Sequence, residues 1–165
     1  MASGKVFIVL GALLTIVGTY IFAISGVVGL VGSGIGFILN FFNLITNAVV
    51  YAGVVNVEVW LFYILLVVFA IFIISGGLQL IGIKSRAIGF VFSLFPLGVG
   101  VMFVLLFYTE ILGSISSLLA LFFTGGQIGN IFPILINIGG GTGLGAFFLI
   151  GGGLFGVIST FLPRE

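Results

Sequence analysis

Polar residues are so sparse in this chain that the apolar runs between them are its main feature. Four runs, at about 5–29, 58–82, 87–109 and 142–162, are long enough to cross a bilayer as helices, since a crossing takes about 20 apolar residues at 1.5 Å each. Three of the runs carry a stripe of small residues on one helical face. The first has Gly11, Thr15, Gly18, Ser25 and Gly29; the third has Gly89, Ser93, Pro96 and Gly100; the last has Gly145, Gly152, Gly156 and Ser159. Small residues let helix backbones approach closely in lipid, and the many phenylalanines are expected on the lipid-facing sides. Pro96 removes a backbone donor, so a kink is expected there, with Ser93 taking up the freed carbonyl of Phe92.

Between the runs lie two further apolar segments, about 35–56 and 111–138. The first is patterned as an amphipathic helix. Asn40, Asn43, Asn47 and Tyr51 recur along one face, and no residue of the segment is charged. A helix lying on lipid headgroups normally carries Lys or Arg on its polar side. The asparagines must therefore meet water or hydrogen-bond partners, as a pore lining or a subunit contact. Glycine-rich stretches at 29–36 and 139–143 read as turns. The expected fold is an all-α integral membrane protein with four transmembrane helices and two apolar outer helices, interfacial or re-entrant.

Charge sets the expected threading. With four spans, Lys5, Lys84, Arg86 and Arg164 all fall on one side, which the positive-inside rule makes cytoplasmic, with both termini inside. Six spans would put Lys84 and Arg86 outside. Glu58 and Glu110 then mark the outer ends of the second and third spans, near Trp60, Tyr63 and Tyr108, where an interfacial aromatic belt belongs. Lys5 with Ala23-Ile24-Ser25 resembles a secretory signal, but the apolar run exceeds the usual length of about 7–15 residues. The halves 1–83 and 84–165 also resemble each other. Phe72-Ile73-Ile74-Ser75-Gly76-Gly77-Leu78 parallels Phe148-Leu149-Ile150-Gly151-Gly152-Gly153-Leu154, which suggests a parallel internal repeat within one membrane domain.

Composition narrows the chemistry. Of 165 residues only 4% are charged, and the mean hydropathy is +1.58. A soluble domain carries about 25%. His, Cys and Asp are absent, which excludes Ser–His and Cys–His nucleophile pairs, thiolate metal sites and disulfides. A net charge of +1 provides no basic patch for nucleic acid. The mid-span carboxylate of rotary proteolipid rings and the outer cysteines of claudin-like tetraspans are both missing. No enzyme activity and no cofactor are expected; the partners expected are the lipid bilayer and either further copies of the chain or other membrane subunits. The leading expectation for function is an oligomeric membrane scaffold or pore-forming assembly. An accessory subunit of a larger complex, or a carrier or channel for a small neutral solute, are the alternatives. The pairs Gly141/Gly145 and Gly152/Gly156 are the expected packing positions. Asn40, Asn43, Asn47, Glu58 and Glu110 are the candidates for a pore or subunit contact.

Overall fold

A computed structural model describes residues 3–163, apart from 28 and 114. Helix α1 (Ser3–Ile16) continues through a π-helical turn, Val17–Ile21, closed by the Phe22 N–H donating to the Val17 carbonyl at 3.0 Å. Two short strands follow, β1 (Ser25–Val27) and β2 (Leu30–Gly32). Helices α2 (Gly34–Thr46) and α3 (Ala48–Val54) come next and meet at a 103° bend. The long helices α4 (Val59–Ile81) and α5 (Arg86–Tyr108) form a hairpin. Beyond them lie α6 (Ile115–Phe123), β3 (Thr124–Gly125), β4 (Asn137–Gly139), β5 (Thr142–Gly143) and α7 (Leu144–Phe161).

Four helices are long and apolar enough to cross a membrane: Ser3–Ile21, α4, α5 and α7. They pack as a ring in the order α1, α4, α5, α7, each antiparallel to its neighbours. Glycine sets their spacing. A Cβ placed on Gly11 would stand 2.7 Å from the Gly152 carbonyl, and one on Gly18 would stand 2.9 Å from the Gly145 carbonyl. Backbone therefore touches backbone along the α1–α7 seam, which in lipid is how packing replaces a hydrophobic driving force. Gly100 and Gly153 do the same between α5 and α7. Lys5, Lys84 and Arg86 share one end of this bundle, where the Gly4 N–H donates to the Pro163 carbonyl at 2.9 Å. Glu58 and Glu110 share the other. Arg164 lies outside the described residues.

Several expectations are corrected. The chain is not all-α, because the regions beyond α1 and before α7 build a five-stranded antiparallel sheet in the order β3-β2-β1-β5-β4. The first helix ends at Ile21 rather than near Gly29. Beyond it the backbone is extended, and its polar groups bond residues distant in sequence: Ala23 N–H to the Ile134 carbonyl at 2.9 Å, Ile134 N–H to the Ile21 carbonyl at 2.8 Å. Ser25 and Gly29 thus leave the helical stripe. The segment expected as one helix over 35–56 breaks at Asn47, and the segment 111–138 is helical only over α6. Ser93 donates to the Gly89 carbonyl at 2.5 Å, one turn back, and not to that of Phe92. β4 and β5 are joined by Gly140 and Gly141, both with positive φ, the conformation a two-residue hairpin needs and other residues resist.

The phenylalanines are not mainly on the outside either. Phe37, Phe62, Phe69, Phe72, Phe103, Phe122 and Phe123 are wholly buried. Phe122 and Phe123, at the end of α6, are wedged among α2, α4 and α5. Phe62 lies 4.9 Å from Phe122, Phe69 lies 5.0 Å from Phe123, and Phe103 lies 5.3 Å from Phe123, all edge to face. Such pairs add about 0.5–1.5 kcal/mol each beyond the area they bury.

The depth of this wedge matters. Phe69 and Phe72 lie about 15 and 20 Å along α4 from Val59, at 1.5 Å per residue. Phe123 packs on both, so α6 and the sheet reach to about the middle of the long helices. α2 begins beside them, where Gly34 touches Thr19 and Ile73, and runs back along α4. Because α1 rises and α4 descends, the chain between them starts and finishes at the same end of the bundle.

Candidate functional site

Strand register builds the site. Thr124 of β3 lies opposite Gly32 of β2, Gly32 opposite Ser25 of β1, Ser25 opposite Thr142 of β5, and Thr142 opposite Gly139 of β4. Opposed residues of antiparallel strands project from the same face. One row across the sheet therefore carries three hydroxyls, from Thr124, Ser25 and Thr142, with glycine gaps. Neighbouring strands are about 4.8 Å apart, so the hydroxyls extend over about 14 Å. At the far end of the row the Tyr108 hydroxyl donates to the Gly139 carbonyl at 3.1 Å.

A cavity of about 410 Å³ opens against this face. The sheet supplies Ser25, Gly32 and Thr124; α5 supplies Phe103 and Phe107; α6 supplies Ser116 and Ala120. Its walls are mostly apolar and no charged side chain lines it. Gly32 is required here because the Ser25 hydroxyl occupies the space a Cβ would need. One strand along, the Thr142 hydroxyl is fully buried and has no hydrogen-bond partner among the described residues. An unpaired buried polar group costs about 1–3 kcal/mol. The arrangement can offer hydrogen bonds to an uncharged molecule; among the described residues it holds no acid, base or metal ligand.

A second polar cluster lies inside the bundle. The Gln79 amide donates to the Ser93 hydroxyl at 3.2 Å, and its carbonyl oxygen is buried without a partner among the described residues. Gly156 leaves the room these two side chains fill.

Within the chain, Asn43 and Asn47 bond each other, and Asn40 bonds elsewhere. Asn40 is half-buried and donates to the Thr124 carbonyl at 2.7 Å, tying α2 to β3. Asn43 and Asn47 are exposed, with Asn43 donating to the Tyr51 hydroxyl at 2.8 Å and Asn47 to the Asn43 side-chain oxygen at 2.6 Å. Glu58 caps the start of α4 by position, without a side-chain bond to the helix, and both it and Glu110 are exposed. Gly152 and Gly156 face α1 and α5 of the same chain, Gly145 lies against the Ala23 carbonyl, and Gly141 belongs to the β4–β5 turn. Sequence reasoning missed Ser25, Thr124 and Thr142 as a group. Only long-range strand pairing brings them together, and nothing in their local spacing signals it. No family model, no curated protein and no solved structure matches the chain.

Proposed function

We propose that this chain is a non-catalytic membrane scaffold that self-associates through its outer module, with both termini cytoplasmic and with α2 and α6 re-entrant. The threading follows from the bases clustered at one end and from Trp60, Tyr63 and Tyr108, all exposed, at the other. Re-entrance is supported by α2 and α6 packing along α4 as far as its middle. Irregular backbone at membrane depth is tolerated only when it is buried in protein or lines a cavity, and Ser25, Gly26, Val31, Gly32, Thr142 and Gly143 of the central strands are buried on those terms.

One observation carries the assembly reading. The glycine faces are occupied within the subunit, whereas α2 and α3 present Leu39, Phe42, Val49, Val50 and Val54, each more than 60% exposed, with no charge among them. That uncharged apolar face is open to contact with another copy. The test is the mass of the protein after extraction in mild detergent, read against a subunit mass of 17.3 kDa. A defined homo-oligomer that dissociates in a Leu39→Ala/Phe42→Ala variant is the expected result. A monomer under every mild condition refutes the scaffold, and co-purified larger subunits would instead make the chain an accessory. The cavity favours a second reading, carriage of a small neutral solute.

A further inference from the structure

We infer that the cavity between the sheet, α5 and α6 is a binding site for a single-chain uncharged amphiphile, such as a long-chain alcohol or a monoacylglycerol. This goes beyond the assembly reading and does not depend on it. The volume of about 410 Å³ falls within the range of small-molecule pockets, about 300–1,000 Å³, and accommodates one chain with a small head. Phe103, Leu106, Phe107 and Ala120 form an apolar wall, and Ser25, Ser116 and Thr124 place hydroxyls on the remainder. Hydroxyls both donate and accept, so they match an alcohol or ester head. Among the described residues that line it, no cation is present to hold a carboxylate or phosphate and no anion to hold an ammonium. An ionised head would be buried without a counter-charge, which apolar sites reject strongly.

The experiment uses the full chain in phosphatidylcholine nanodiscs and a hexadecanol analogue bearing a photoactivatable diazirine. Labelling is mapped by peptide mass and compared with that by the matching fatty acid and alkyl ammonium probes. The expected label falls on peptides containing Leu30, Phe103–Phe107 or Ser116–Ala120, and unlabelled hexadecanol competes for it. Ala120→Phe fills the cavity from an exposed position of α6 and should reduce labelling at least tenfold. Ser25→Ala, by losing one hydrogen bond, should reduce it about two- to tenfold. Equal labelling by the charged probes overturns the proposal, as does labelling that neither variant reduces. Ser116→Val, on the surface of α6, gives the same readout if Ala120→Phe proves unstable. Oligomer mass is measured on the same samples, so failure of the ligand site and failure of the scaffold are distinguishable.

Discussion

Substituting alanine for glycine at two positions of the bundle should have opposite effects. A Cβ at Gly152 would stand 2.5 Å from the Thr15 hydroxyl and 2.8 Å from both the Gly11 carbonyl oxygen and the Thr15 nitrogen. The hydroxyl can rotate away, but the other two atoms are helix backbone. Ordinary contact begins near 3.4 Å, so α1 and α7 must part by roughly 0.6 Å. A gap of that size forfeits about a quarter of the dispersion energy across the seam. Overpacking of this kind costs about 1–3 kcal/mol, and the better helix propensity of alanine returns about 1 kcal/mol. The net effect of Gly152→Ala is therefore a loss of up to about 2 kcal/mol. Gly77, on the exposed face of α4, has nothing within 4 Å of the same added atom. There the propensity gain is unopposed, and Gly77→Ala should stabilise by up to about 1 kcal/mol. Unfolding in mixed dodecyl maltoside and SDS micelles, followed by circular dichroism, measures both. If Gly152→Ala stabilises the bundle as Gly77→Ala does, close approach at the α1–α7 seam is not what holds the bundle.

The asparagines should separate by role. Asn40→Ala removes the bond between α2 and the Thr124 carbonyl and should cost about 1–2 kcal/mol, whereas Asn47→Ala, on an exposed side chain, should stay within about 0.5 kcal/mol; the same micelle titration reads both. Since the chain has no native cysteine, Ala87→Cys should react with a membrane-impermeant maleimide only from the cytoplasmic side and Asn56→Cys only from outside. Reaction of Ala87→Cys from outside would end the proposed threading. A spin label at Leu39 should be relaxed by oxygen more than by an aqueous nickel chelate if α2 is re-entrant; the reverse order would place α2 in water. Glu58→Gln and Glu110→Gln, at exposed positions, should each change stability by less than about 0.5 kcal/mol, and a larger loss would reveal a contact for these carboxylates within the assembly.

Length and composition alone identified the four crossing helices, because a run of about 20 apolar residues is a local property. Glycine spacing in the same way marked Gly11, Gly18, Gly152 and Gly156 as sites of close approach. The partner of each glycine was not readable, since that depends on which helices are adjacent in the ring. Asparagine periodicity marked α2 as a helix with a polar face, but hydrogen bonding at the α2–α6 contact gave Asn40 a structural task and left Asn43 and Asn47 outside it.

The sheet and the cavity belong to the tertiary structure. Ser25-Gly26-Val27 reads locally as the end of an apolar helix, and it becomes a strand only because Gly32, Thr142 and Gly141 supply partners for its backbone. Those partners lie up to more than a hundred residues away. The same holds for the phenylalanines: lipid and protein interior are equally apolar, so hydropathy cannot tell Phe90, exposed on α5, from Phe103, buried on the same helix. Sequence determined that this chain belongs in a membrane because the cost of exposing its runs to water is local and additive. Which aromatic rings interlock, and which hydroxyls line up across the sheet, was decided by packing and hydrogen bonding between segments that composition treats alike.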